Sequence, residues 1–415
     1  MKILVLGSGV IGVTSAYYLA KDGHEVTVID RQPEAASETS FANASLIAPA
    51  HAYAWASPQA PGVLLRSLFK ADQALRLKFS ADPHMWAWCW RFLLQCTAER
   101  ARINTVRKLR LCVYSVDCLN EVVADAKVAY DQLAKGNLYL YRTQQTFDKG
   151  VGHIDILRDQ GLELEVLDRD SVKSVEPVLE SVKGKIAGAV YSPTDQSGDA
   201  CTFTRNLAAH CAKKLGVKFL YDTTIRRIEV SVDRVTRVVT DKGARDADVY
   251  VLALGCDSPI LGRTIGLKLP IYPVKGYSVT LPAKGRNAVP RIGGVDEDNL
   301  VAYCPLGDRL RFTSTAEFSG YDRSYRPEDF RAMFRAAKEL FPAAADYDQP
   351  DYWAGLRPMT PEGTPILGFA KYRNLVLNTG HGHIGWTMSC GSAKVTADLV
   401  AGRVPEVDLE GMRYA

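Results

Sequence analysis

The first thirty residues, MKILVLGSGVIGVTSAYYLAKDGHEVTVID, constrain the fold more than any other stretch of the chain. Ile3 to Leu6 form a short apolar run suited to a buried parallel strand. Gly7, Gly9 and Gly12 then fall at the G-x-G-x-x-G spacing where a helix should open, with Ser8, Val10 and Ile11 between them. Gly7 permits the tight turn, Gly9 lets the backbone approach a pyrophosphate, and Gly12 allows close helix–strand packing. The helix N-terminus stabilises the phosphate charge. A second strand ends at Asp30, where a carboxylate can accept hydrogen bonds from an adenosine ribose, and Arg31 follows. Strand, turn, helix, strand and acid in register predict a dinucleotide site. An ordinary βαβ turn would leave Asp30 without a role.

At 415 residues, two domains are expected rather than one. A charged fraction of 24% and a net charge of +4 fit a globular protein and give no argument for nucleic acid. Nine cysteines, scattered and without a C-x-x-C pair, suggest reduced thiols in the cytoplasm rather than a disulfide framework. The apolar start reads as a folded βαβ unit, not a secretory signal. No apolar run reaches the ~20 residues a membrane-spanning helix needs, and no metal site is expected.

Later segments separate the cofactors that share the opening motif. Glu38 to Ser45 is small and polar, and Ser40, Asn43, Ala44 and Ser45 suit a pyrophosphate or flavin edge. Ile225 sits at a turn where adenine can rest. The strand Asp248 to Leu252 closes on Ala253, Leu254 and Gly255, small enough to lie against a cofactor. After the strand Asn374 to Asn378 comes a second glycine-rich junction, with Gly382, His383, Ile384, Gly385, Trp386 and Thr387 leading into a helix from Met388 to Ala401. Such a junction points N–H groups and a positive helix end at an anion, which in a flavoenzyme is the reduced flavin. No second intact motif for a nicotinamide cofactor follows. Electrons therefore enter from a small substrate and leave to oxygen, a quinone or a carrier.

The segments GSGVIGVTSAYYLAKDGHEVTVIDR, ETSFANAS, YPVKGYSVTLP, YWAGLRPMTPEGTPILG and NTGHGHIGWTMSCGS resemble the D-amino-acid oxidase superfamily of FAD oxidoreductases. The similarity is nearest to the bacterial D-amino-acid dehydrogenase small-subunit type. It implies an α/β protein with a Rossmann-like FAD-binding domain, discontinuous in sequence (1–50, 195–270 and 350–415). A second, α+β substrate domain (51–194 and 271–349) would be built on an antiparallel sheet. Long helical patterns run from Trp86 to Val106 and from Leu109 to Lys135. Period-two patterning at Tyr277, Val279 and Leu281 suggests the sheet. The Trp86, Trp88 and Trp90 cluster and the basic, apolar stretch Gly62 to Phe79 read either as core helix or as a peripheral membrane contact.

Oxidising an amino acid at Cα moves a hydride to flavin N5 while the imine forms, so the site needs a clamp for the substrate carboxylate. Arginine suits it, because its fork pairs bidentately and stays charged. Arg357 lies where the second insert meets the last FAD segment, and the resemblance gives it this role; the plain alternative pairs it with Glu362. Tyr277, Tyr303 and Tyr53 are candidates to hydrogen-bond or wall the substrate. His51, His381 and His383 are candidates to take the amine proton or steady the flavin, and for His381 a turn-fixing hydrogen bond serves as well. The resemblance also implies noncovalent FAD, since no cysteine precedes Thr360-Pro361 where some relatives tether it. The expected activity is oxidative deamination of D-amino acids, or of a cyclic amine such as D-proline or hydroxy-D-proline, with a quinone or carrier as acceptor. The alternatives are an oxygen-using oxidase and a non-catalytic flavin protein. The expected location is the cytoplasm, or the cytoplasmic face of the inner membrane.

Overall fold

A computed structural model describes residues 1–67, 75–78 and 81–414. Within the stretch 62–79, positions 68–74 and 79 lie outside the described residues.

Among the described residues the larger sheets have six and nine strands. The six-stranded sheet runs Ile366–Phe369, Leu375–Thr379, Val249–Leu252, Lys2–Leu6, Glu25–Ile29, Lys218–Leu220. All its pairings are parallel except that of Ile366–Phe369 with Leu375–Thr379. The central strands are apolar on both faces, as a sheet covered by helices requires. The helices Val10–Lys21, Ala200–Lys214 and Gly385–Val400 share one hydrophobic core with it.

The nine-stranded sheet forms the second layer. It runs from Asp351–Met359 through Tyr272–Pro282, Arg309–Phe318 and Val301–Leu306 to Glu165–Asp168. Most pairings are antiparallel, as expected. Two are not: Gly293–Asp296 with Asn137–Tyr141, and Arg309–Phe318 with Leu75–Leu77. The second core lies on this sheet, around Tyr303, Phe312, Phe330 and Phe341.

Three expectations need correction. The strand Asp351–Met359 belongs to the nine-stranded sheet, so the boundary expected at 350 falls too early. The helical patterns divide as Pro83–Gln95 and Ala98–Ala126, because the Thr97 side chain caps the second helix by accepting from the Arg100 N–H at 3.2 Å. That helix ends at Lys127, which takes a left-handed φ of 51°, well before Lys135. It packs against Gly385–Val400 and contributes Cys118, Leu119 and Val122 to the first core, so part of 51–194 is built onto the dinucleotide sheet.

Candidate active site

A cavity of about 780 Å³ runs along the seam between the two sheets, within the usual range for a ligand site. One end is built by the opening motif. Gly7 takes a φ of 107°, which only glycine adopts freely. A Cβ on Gly12 would collide with the Gly7 carbonyl, so Gly12 serves close packing and does not face the cavity. Gly7, Gly9, Val10 and Ile11 do line it.

Asp30 also lines this end, but its side chain is already engaged. Its Oδ2 accepts from the Ser8 N–H at 2.6 Å and the Ser8 hydroxyl at 2.8 Å, and its Oδ1 from the Gln32 N–H at 2.9 Å. Ser8 is buried behind the turn and is not a lining residue. Arg31 is held at 2.8 Å by both Glu38 and Asp257, and Arg323 reaches Glu38 at 2.6 Å. Ile225, Ala253, Leu254 and Gly255 also line this end.

Two helix N-termini open onto the cavity. Neither Val10–Lys21 nor Gly385–Val400 has a side-chain cap from its own N-cap residue or an acid in its first turn. Ser40 Oγ accepts from the Val10 N–H at 3.1 Å. Both ends are left to attract an external anion, so they fit a dinucleotide pyrophosphate and a reduced flavin. Ser40, Asn43 and Ala44 line the space between, with Gly382, His383, Ile384, Gly385 and Trp386. The Trp386 indole turns into the core against Phe203, with ring centroids 4.8 Å apart. Ser45 and Thr387 do not line the cavity: the Ser45 hydroxyl accepts from Arg311 at 3.0 Å, and the Thr387 hydroxyl from the Ala48 N–H at 3.0 Å. His381 is buried, with Nε2 3.0 Å from the Ser392 hydroxyl, and burial lowers its pKa to about 3; this is the turn-fixing role.

The other end is built around Arg357. Its guanidinium pairs with no carboxylate among the described residues; Glu362 instead accepts from Gln95. Nη1 donates to the Thr315 carbonyl at 2.8 Å, and burial lowers the arginine pKa to about 10. That carbonyl is aimed by a bulge. Lys275 pairs with Glu317 and Tyr277 with Ser314, so Gly276 faces two residues, Thr315 and Ala316.

Tyr277 lines this end, but its hydroxyl donates to Glu317 at 2.7 Å, leaving only its oxygen and ring for a substrate. Tyr303 is in the wrong place. It lies in the second core against Phe341, with centroids 4.7 Å apart, and takes no part in the cavity wall. Tyr53 also turns away, donating to the His153 carbonyl at 3.2 Å. Trp55, two residues on, lines the cavity instead and stacks on His383 at 4.7 Å.

His51 and His383 meet edge-on at 6.1 Å. Burial holds His383 well below the ordinary imidazole range, helped by the charges of Lys108, His51 and Arg357, so it is neutral, and its Nε2 has no partner. For His51 burial acts in the same direction, but Glu297, 3.3 Å from Nε2, outweighs it and raises the pKa. Trp55, Thr315 and Glu297 were not anticipated. Thr315 contributes a carbonyl, which no residue type announces, and nothing in the local sequence prefers Trp55 to Tyr53.

A cavity along the seam of the two sheets, with a glycine-rich βαβ turn at one end and at the other a guanidinium that has no carboxylate partner among the described residues, suits a flavin-dependent oxidoreductase acting on a small carboxylate. A model of the family "FAD dependent oxidoreductase" matches residues 2–399, and the chain belongs to that family. It is 51% identical over 414 residues, 100% of each chain, to D-amino acid dehydrogenase 2 of Mesorhizobium japonicum. With the D-amino acid dehydrogenase of Paramagnetospirillum magneticum it shares 46% over 413 residues, 99% of this chain and 98% of the other. Among solved structures it is similar in fold to glycine oxidase from Geobacillus kaustophilus, with a TM-score of 0.76, 23% identity, and 100% and 98% of the chains covered. L-proline dehydrogenase from P. horikoshii gives 0.74 at 19% identity, covering 99% and 95%.

Proposed function

We propose that this chain is an FAD-dependent D-amino-acid dehydrogenase, releasing a 2-oxo acid and ammonia after hydrolysis of the imine. The observation that carries the reading is Arg357, a cation without a carboxylate partner among the described residues, in the same cavity as two open helix N-termini. Relatives at 45–51% identity along the whole chain bear the dehydrogenase name.

When bound, FAD supplies the two-electron acceptor. The residues do the rest. Arg357 clamps the substrate carboxylate with its free N–H groups and so orients Cα. Tyr277 and Trp55 wall the site, and His51 takes the proton that the ammonium must lose. The end of Gly385–Val400 stabilises negative charge that builds up during the transfer.

Electrons pass on to a quinone or another carrier. No helix among the described residues is long and apolar enough to cross a membrane. Trp86, Trp90, Leu93 and Leu94 form an exposed apolar face on Pro83–Gln95, which supports peripheral contact with a lipid surface.

The flavin is held without a covalent bond. Cys256 lines the cavity, but burial raises its pKa and its thiol points at the Leu356 carbonyl. Acid precipitation is expected to release the yellow chromophore. The deciding experiment is anaerobic flavin bleaching with a panel of D- and L-amino acids, followed by timed reoxidation with oxygen or a quinone. Bleaching by no amino acid would end the reading; fast reoxidation by oxygen would make the protein an oxidase.

A further inference from the structure

The long helix Ala98–Ala126 carries two buried polar side chains one turn apart, Thr105 and Lys108. Both bond to the same peptide. Lys108 Nζ donates to the Tyr53 carbonyl at 2.9 Å, and the Thr105 hydroxyl accepts from the Ala54 N–H at 3.0 Å. The Tyr53–Ala54 peptide is therefore clamped at both ends. It lies midway along the chain between His51 and Trp55, which both line the cavity, whereas neither Thr105 nor Lys108 does. The same helix also holds Gly385–Val400. The Ser115 hydroxyl accepts from the Gly391 N–H at 2.9 Å, and a Cβ on Gly391 would collide with Ser115. One helix thus sets the loop bearing His51 against the helix whose N-terminus opens onto the cavity.

Packing alone does not call for an amine at position 108. Lys108 is 0% exposed, and its one acceptor among the described residues is the Tyr53 carbonyl. Burial lowers its pKa to about 8, so it still carries its charge in neutral buffer. A buried charge without a carboxylate partner is costly, and a methionine of similar length would fill the space without that cost. The charge faces the imidazoles. Around Lys108 stand His51, His383 and Cys112; around His51 stand Glu297, Asp195, Tyr139 and His383; and Arg357 faces His383. Lys108 opposes a proton on either imidazole, and for His51 it works against Glu297.

We propose that Lys108 is a positioning residue for the deamination: without touching substrate, it holds the peptide between His51 and Trp55 and keeps a positive charge near the imidazole that receives the ammonium proton. The proposal rests on the D-amino-acid reading above, in which His51 is that acceptor.

The test compares three variants of the holoenzyme. Lys108→Met removes bond and charge, Lys108→Gln removes the charge but keeps a donor for the Tyr53 carbonyl, and Thr105→Val removes the other bond and no charge. The NMR titration of the His51 ring, assigned through its loss in His51→Gln, should move up by about one pH unit in both Lys108 variants. The acid limb of anaerobic flavin reduction by D-Ala and D-Phe should move with it. Lys108→Met and Thr105→Val should each slow the limiting reduction by about 10-fold through a misplaced His51, and Lys108→Gln by less. Thr105→Val should leave the limb where it is. If Lys108→Met does not fold, Lys108→Gln still reads the charge and Thr105→Val the clamp. A lysine that serves packing alone would leave the His51 titration in place, and that result overturns the proposal. So does a limb that moves as far in Thr105→Val as in the lysine variants. If neither D-amino acid bleaches the flavin, the underlying reading fails; bleaching with an unmoved His51 titration sinks the proposal alone.

Discussion

Arg357 is aimed by Thr315: Nη1 donates to the Thr315 carbonyl at 2.8 Å, and Thr315 presents that oxygen from a φ of 68°. A β-branched residue rarely adopts that conformation, so strain is stored at the residue that orients the cation. Gly276 supplies the clearance, since a Cβ there would collide with the guanidinium. Bulge, carbonyl and glycine act on one side chain.

Replacing Thr315 with glycine separates the strain from the contact. The positive φ costs threonine on the order of 1–3 kcal/mol, and the added flexibility of glycine offsets ~0.5–1 kcal/mol of the relief. Thr315→Gly is thus expected to stabilise the protein by about 1 kcal/mol, while KM stays within about twofold because the contact is backbone. Thermal melts and steady-state kinetics read both. Lower stability with a raised KM would mean that the threonine side chain, not the bulge, sets the geometry.

Arg357 itself tests the assigned activity. Arg357→Lys keeps the charge but loses the planar fork, so flavin reduction should slow as well as KM rise, since orientation of Cα is what the clamp contributes. Arg357→Ala should cost ~2–5 kcal/mol in kcat/KM with FAD affinity unchanged. Wild-type efficiency in the alanine variant would place the substrate carboxylate elsewhere.

The sequence made the dinucleotide end legible because its signals are positional. Gly7, Gly9 and Asp30 are fixed by backbone conformation and strand length, and all three line the cavity. Even there, Asp30 holds Ser8 as well as facing the groove, a partner that spacing does not reveal. The substrate end was less legible because it depends on how the sheets meet. Arg357 was found through the family motif. Tyr303 was not separable from Tyr277 by alternation, since both are buried on one sheet and only tertiary packing decides that one meets Phe341 and the other the cavity. Tyr53 and Trp55 show the same limit within three residues of loop.

Glu317 gives an acid-stability prediction. Burial works against its charge, but hydrogen bonds from Lys78, Tyr277 and Lys275 outweigh it and hold the carboxyl at about 2. A folded value below the unfolded one near 4.5 means that the stabilisation is complete above pH ~4.5 and is lost as pH falls towards 2. Glu317→Gln leaves Lys275 buried with Asp322, 3.5 Å away, as its one counter-ion among the described residues. It should cost about 3–5 kcal/mol at neutral pH, and the difference from wild type should shrink in acid. Urea melts at several pH values check this. A constant difference down to pH ~3 would show that the pair contributes through packing rather than charge.

The final prediction concerns the proton that the substrate ammonium must lose before hydride can leave Cα. His51 faces Glu297 at 3.3 Å, stacks on Tyr139 at 5.7 Å and meets His383 edge-on; Lys108 and Asp195 are the other charged groups near it. Burial and Lys108 favour the neutral imidazole, while Glu297 and, less strongly, Asp195 favour the protonated one, and the balance raises the pKa. As an acceptor His51 works only when neutral, so activity should rise with pH through that raised value. Glu297→Gln removes the main opposing influence, and the acid limb of kcat/KM should then move to lower pH. A stability readout has its own sign. A raised folded value stabilises fully below the unfolded pKa and is lost as pH rises through the folded one, so the cost of Glu297→Gln should fade in mildly alkaline buffer. A limb that stays in place, or moves up, in the glutamine variant would remove His51 from the proton path and leave the substrate amine as the titrating group.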